Sequence, residues 1–208
     1  LDPVFSTTMP PSLTAGSGMD ALTHAIETYV ATNANPLSDA MAIGGFITGF
    51  NNLATCYDEP ENLEARAAML EASCMAGIAF SNAALGIVHS IAHTFGAIYG
   101  VPHGMANAIV LPYGLAFNAE HSERAAKRYA QLASMVGVED LTQAIIDLRA
   151  HMNVPSCMKE VVTDEAEVMA NIDRLVAQAQ ADVCTPCTPH RPTDEEMREL
   201  ILKVYNGR

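Results

Sequence analysis

The chain has 208 residues, 50% of them hydrophobic and 17% charged, which is enough to bury a core of its own. Its 24 acidic residues outnumber 11 Lys and Arg, giving a formal net charge of -13, and no basic cluster marks a nucleic-acid footprint. No apolar run reaches the roughly 18 residues of a membrane span, so neither nucleic acid nor membrane is expected as a partner.

The opening LDPVFSTTMPPS has neither the basic nor the apolar region of a signal peptide, and no initiator Met; the chain reads as a fragment or a processed product. The odd count of five cysteines suggests a reducing compartment, hence a cytoplasmic location. Cys184 and Cys187 form a C-x-x-C, but there is no second such pair and no βαβ context, so the motif reads as a loop detail.

A short strand is expected around Val4–Thr7. TAGSG then supplies turn and cap chemistry, and a first helix runs to about Val30. Pro36 opens a second helix, DAMAIGGFITGFNNLA, whose glycines suit close neighbours. A third is expected from about Leu63 to Phe80, a fourth from Asn82 and Gly86 through Tyr99, and a fifth from His103 toward Asn118. HSERAAKRYAQLASMVG and LTQAIIDLRAHM are amphipathic helices, and Thr163–Ala181 is expected as one more. Thr193, with Glu196 at the capping-box position, starts a last helix after a Pro-rich loop. With no recurrent period-2 pattern, the class is all-α, a multi-helical domain over residues 1–208; the change from all-round apolar to amphipathic helices makes a C-terminal boundary conceivable near Asn118.

Chemistry concentrates in two stretches. GMDALTHAIETY puts Asp20 and His24 one turn apart, opposite the Leu22, Ile26 and Tyr29 stripe. ALGIVHSIAHTFGAIYGVPHG puts His89 and His93 one turn apart on an otherwise apolar helix, and His103 follows at a Pro-turned helix start. A lone buried His is usually a hydrogen-bonded core residue, but imidazoles at i, i+4 can meet one ion. Ser90 stands where H-E-x-x-H has its glutamate, so a zincin protease is excluded. A carboxylate with two or three imidazoles suits a divalent first-row ion such as Fe(II) or Zn(II), in a structural or a catalytic site.

In combination, G-M-D-A-L-T-H-A-I-E, F-S-N-x-x-L-G-x-V-H-x-x-A-H and P-H-G-x-x-N-A-x-x-L-P strongly resemble the iron-containing (group III) alcohol dehydrogenases, over essentially the whole chain. Members of that family are about twice as long, with an N-terminal nucleotide-binding half and a C-terminal helical metal-binding half; this chain resembles the second half. The resemblance implies Asp20, His24, His89 and His103 as metal ligands. It places His93 in the cleft near the nicotinamide, as a proton relay or a wall, and Phe80 and Cys184 in the substrate pocket. The tail CTPCTPHR departs from the family's C-T-x-x-N-P-R, which bears on substrate size.

The function so implied is metal-assisted hydride transfer between a small alcohol or aldehyde and NAD or NADP, with Fe(II), or Zn(II) in its place, as the metal. No G-x-G-x-x-G follows a strand here, and the G-S-G of TAGSGMD is at most a weak anion site, so the nucleotide would be held mainly by the missing N-terminal nucleotide-binding domain. The isolated chain is then expected to bind metal with little or no turnover. The alternatives are a non-catalytic helical metal-binding or structural domain and a metal-dependent lyase or hydrolase. Dehydroquinate synthase and glycerol dehydrogenase are fold relatives with other site residues. A homo-oligomer is left open.

Overall fold

The computed structural model describes residues 1–207, and among them every regular element is helical. Ten α-helices follow in order: α1 Pro11–Val30, α2 Pro36–Asp58, α3 Leu63–Ala83, α4 Ile87–Tyr99, α5 His103–His121, α6 Glu123–Met135, α7 Leu141–His151, α8 Glu165–Ala170, α9 Ile172–Ala181 and α10 Asp194–Asn206. Local chemistry sets most starts. Asn35 accepts from the backbone of Leu37 and Ser38 with Pro36 in the first turn, Asp140 caps α7, and Thr193 with Glu196 forms the capping box of α10. Gly100 and Gly207 close α4 and α10 in the left-handed conformation.

Helix α1 is the centre of the molecule and packs on α2, α3 and α5; α4 packs on α5 and α9, and α10 on α9 and α5. Its residues are buried almost all round, including Met19, Leu22, Ile26 and Val30 together with the polar Thr23, Glu27 and Thr28. The face carrying Asp20 and His24 therefore looks inward as well. One hydrophobic core runs from Ala15 to Tyr205. Asn118 is no boundary: it is buried, donates to the Tyr129 hydroxyl at 3.2 Å and accepts from the Thr188 hydroxyl at 3.1 Å. Among the described residues, no single helix is long and apolar enough to cross a membrane.

Three expected elements differ. Pro3–Ser6 is a 3₁₀ turn instead of a strand, because Asp2 caps the Val4 amide and Pro3 sets the first helical φ. TAGSG lies inside α1, which starts at Pro11. Its glycines serve helix contacts: a Cβ on Gly18 would sit 2.2 Å from Leu53 Cδ1. The expected Thr163–Ala181 helix breaks at Asn171, whose backbone conformation leaves the helical region between α8 and α9.

Candidate metal centre

Three helices bring the four expected ligands together. Helix α1 supplies Asp20 and His24, α4 supplies His89 and the first residue of α5 is His103. One ligand atom from each lies within 4.8 Å of all the others. Asp20 Oδ1 is 3.3 Å from His103 Nε2, 3.5 Å from His89 Nε2 and 3.7 Å from His24 Nε2. His103 reaches this point because α5 starts against α1 with almost no gap: a Cβ on Gly104 would lie 2.5 Å from the Gly16 carbonyl oxygen.

Glu27, one turn below His24, sets the orientation of His89. Its buried carboxylate accepts from the Val88 amide at 2.7 Å and the His89 amide at 3.3 Å, and lies 2.6 Å from His89 Nδ1. One carboxylate thus caps the N-terminus of α4 and accepts a hydrogen bond from Nδ1–H, which turns Nε2 toward Asp20. Gly86 leaves room for it, since a Cβ there would stand 3.0 Å from Glu27 Oε1.

The electrostatics favour a cation at this point. Burial works to raise the Asp20 carboxyl, but hydrogen bonds with His103 and His89 hold it well below the usual carboxylate range. Burial drives His24 down to about 4, which keeps it neutral with a lone pair to give. Burial also disfavours a charged His89, yet its bonds to Asp20 and Glu27 outweigh that and raise it to about 9. Two carboxylates draw positive charge to His89, and a divalent ion on Nε2 would answer the same field in place of the proton.

Asn107 tests whether the residues fit a metal. Its Nδ2 lies 2.6 Å from Asp20 Oδ1, 3.0 Å from His89 Nε2 and 3.1 Å from His103 Nε2, while its Oδ1 is buried without a partner. An amide has two protons for three crowded neighbours, so its nitrogen cannot satisfy all of these contacts at once, and orphaning its carbonyl carries a cost. The donors converge with more lone pairs than the protein can satisfy, as a first-row divalent ion requires, and the N₃O set is of the borderline type.

His93 stands beside this cluster and outside it. It is 39% exposed, stacks on His103 with centroids 5.3 Å apart, and pairs through Nδ1 with Asp182 Oδ2 at 2.8 Å. Asp182 is fixed in turn by the Ser90 hydroxyl at 3.3 Å and the Cys184 amide at 2.9 Å. Cys184 is buried, and burial together with Asp182 pushes its thiol well up, so it stays protonated. Phe80 packs on the other flank, its ring 4.7 Å from that of His24. A groove of about 480 Å³ reaches Asp20 and His103 past Gly16 and Gly104; neither Phe80 nor Cys184 lines it.

The sequence did not single out Glu27, Asn107 and Asp182, although each stands in or next to a motif that it did. Glu27 falls three residues after His24 and Asn107 four after His103, so both share a helix face with a ligand. Cys187, the second half of the C-x-x-C, ends the 3₁₀ turn Thr185–Cys187, and its sulfur accepts from Asn33 Nδ2 at 3.3 Å.

Fold and cluster together define a helical domain built round a partly buried carboxylate–imidazole centre. The sequence matches the model for the Fe-containing alcohol dehydrogenase family, C-terminal, over residues 14–205, and the chain belongs to that family. It is 40% identical over 216 residues to the NADPH-dependent butanol dehydrogenase of Clostridium saccharobutylicum, covering 100% of this chain and 54% of that protein. It is 37% identical to alcohol dehydrogenase 4 of Saccharomyces cerevisiae, covering 98% and 53%. The iron-containing alcohol dehydrogenase of Thermococcus thioreducens superposes with a TM-score of 0.93 at 38% identity, over 100% of this chain and 54% of that one. The chain spans about half the length of the curated relatives it matches.

Proposed function

We propose that this chain is the metal-holding part of an NAD(P)-dependent alcohol dehydrogenase that interconverts small alcohols with aldehydes or ketones. Asp20, His24, His89 and His103 hold Fe(II), or Zn(II) in its place, and a separate nucleotide-binding half carries the nicotinamide. The observation that carries this reading is the convergence of four donors from three helices within 4.8 Å of one another, three of them crowded on the buried Asn107 amide. When bound, the metal supplies a Lewis acid for the alcohol oxygen and the nicotinamide supplies the hydride acceptor.

This chain's residues do the rest. Glu27 fixes the tautomer of His89 so that Nε2 faces the centre. Asp182 does the same for His93: it accepts a hydrogen bond from Nδ1–H and so leaves the Nε2 lone pair to receive the hydroxyl proton as hydride leaves the carbinol carbon. Phe80 covers the His24 side with an apolar wall and the neutral Cys184 thiol covers the Asp182 side, which disfavours a charged substrate. The groove at Asp20 and His103 is the approach from the surface. The cytoplasm is the compartment that suits five free cysteines.

Elemental analysis of the anaerobically purified chain, beside His89→Ala and His103→Ala, tests the reading. About one first-row metal per chain is expected, lost or much weakened in both variants, with dehydrogenase activity only when the nucleotide-binding half is supplied. Metal content unchanged by both substitutions would overturn the ligand set. Rapid NAD(P)-dependent turnover by the chain alone would overturn the division of labour.

A further inference from the structure

A second cluster of donors lies at the far end of α5. His121 ends that helix, His190 lies in the loop before α10, and Glu196 is the third residue of α10. We propose that His121, His190 and Glu196 form a second, surface-accessible site for a divalent borderline cation such as Zn(II), which clasps the end of α5 to the start of α10.

The geometry is close to what such an ion needs. Metal–ligand bonds of about 2.1 Å at tetrahedral angles put neighbouring donors roughly 3.4 Å apart. His190 Nε2 lies 3.2 Å from Glu196 Oε2, and His121 Nε2 lies 3.6 Å from Glu196 Oε1. One donor atom from each residue lies within 4.8 Å of the others, so a modest turn of one imidazole completes the triangle. The two rings are stacked with centroids 4.7 Å apart, so one cation can meet both.

Each donor is also held in place. His121 Nδ1 donates to the Phe117 carbonyl at 2.9 Å, which leaves the lone pair on Nε2. Glu196 accepts from the Thr193 amide at 2.7 Å as part of the capping box, so its carboxylate is oriented before any metal arrives. Phe117 backs both imidazoles at 4.4 and 5.7 Å and limits their swing. Glu120 and Glu199 line the adjoining depression of about 160 Å³ and add negative field, against Lys203 on the same wall. His₂-carboxylate is a recurrent zinc set, and three ligands leave a fourth position to water.

The test is zinc stoichiometry by equilibrium dialysis and elemental analysis on the full chain, beside His121→Ala, His190→Ala and Glu196→Gln. All three side chains are partly exposed, and Gln still fills the capping box. Each variant is expected to bind one zinc fewer than the parent chain. Parent-chain unfolding should move up by about 5 °C when free zinc is 100-fold above its dissociation constant, and that shift should shrink in each variant. Equal stoichiometry in parent and variants would overturn the site and leave two imidazoles paired with Glu196. The result is independent of the first centre: if Asp20, His24, His89 and His103 hold nothing, the count falls from one to none in place of two to one.

Discussion

Glu27 and His89 are separated by 62 positions in the chain, yet their side chains meet at 2.6 Å in a contact that solvent barely reaches. The same carboxylate accepts from two amides at the start of α4. Helix position and imidazole tautomer are therefore set by one group. Glu27→Gln keeps the shape but removes the charge and half of the acceptor capacity. The expected result is metal affinity about 10–100-fold lower, measured by competition with a chromogenic chelator. Apo-protein stability should also fall by about 1–3 kcal/mol as α4 amides lose their acceptor. Unchanged affinity would show that His89 needs no orienting partner.

Gly104 is the residue that lets His103 stand beside Asp20. An added methyl would meet backbone, the Gly16 carbonyl at 2.5 Å and the Ser17 amide nitrogen at 3.2 Å, so no flexible side chain can yield. Gly104→Ala should push α5 away from α1, cost about 1–3 kcal/mol in urea unfolding, and weaken metal binding more than its stability loss alone explains. A variant with parent-like stability and affinity would show that the crossing is loose.

The all-helical class and the candidate donors were legible because periodicity carries them; which of the donors are ligands came from the family resemblance. Asp20 with His24, and His89 with His93, are spaced by one turn, and the Pro–His–Gly break announces a new helix at His103. The difference between His89 and His93 is not periodic: same-face spacing makes them equal, the family resemblance assigns them different roles, and the physical distinction lies in their tertiary partners, Glu27 for one and Asp182 for the other. Gly16 and Gly18 misled for a related reason. Glycine marks both turns and close crossings, and the choice depends on Leu53 and Gly104, which lie far along the chain. Asn107 sits in a recognisable motif, but its unsatisfied carbonyl exists only once Asp20, His89 and His103 have converged on its nitrogen.

Ala84 joins α3 to α4 with φ 67° and ψ -173°, a region that essentially only glycine visits without penalty. The turn delivers α4 to Glu27, and the Ala84 carbonyl accepts from the Thr28 hydroxyl at 3.3 Å. Ala84→Gly should relieve about 1–3 kcal/mol of strain, offset by about 0.4–1 kcal/mol of added freedom in the unfolded chain. A net gain of about 1 kcal/mol, or roughly 2–4 °C in calorimetry, is expected. A loss of stability would mean that the Ala84 methyl is worth more than the strain.

Asp182 gives the chain a predictable response to acid. Burial works to raise its carboxyl, but the bond with His93, and then the Cys184 amide, bring it from 3.8 to about 2. A carboxyl depressed on folding stabilises the native state above its unfolded pKa, and that contribution fades as pH falls through the folded value. For Asp182 it is fully present above about pH 4 and gone near pH 2. The side chain is only 15% exposed, so the shift is worth about 2 kcal/mol. Asp182→Asn should therefore lie about 2 kcal/mol below the parent in urea unfolding at pH 7, and the gap should close between pH 4 and 2. In the enzyme completed with its nucleotide-binding half, the same change should lower kcat and alter its pH profile, because His93 loses the acceptor that fixes its tautomer. A stability gap constant down to pH 2 would assign the loss to packing. A parent-like pH profile would make Asp182 a structural partner of His93 alone.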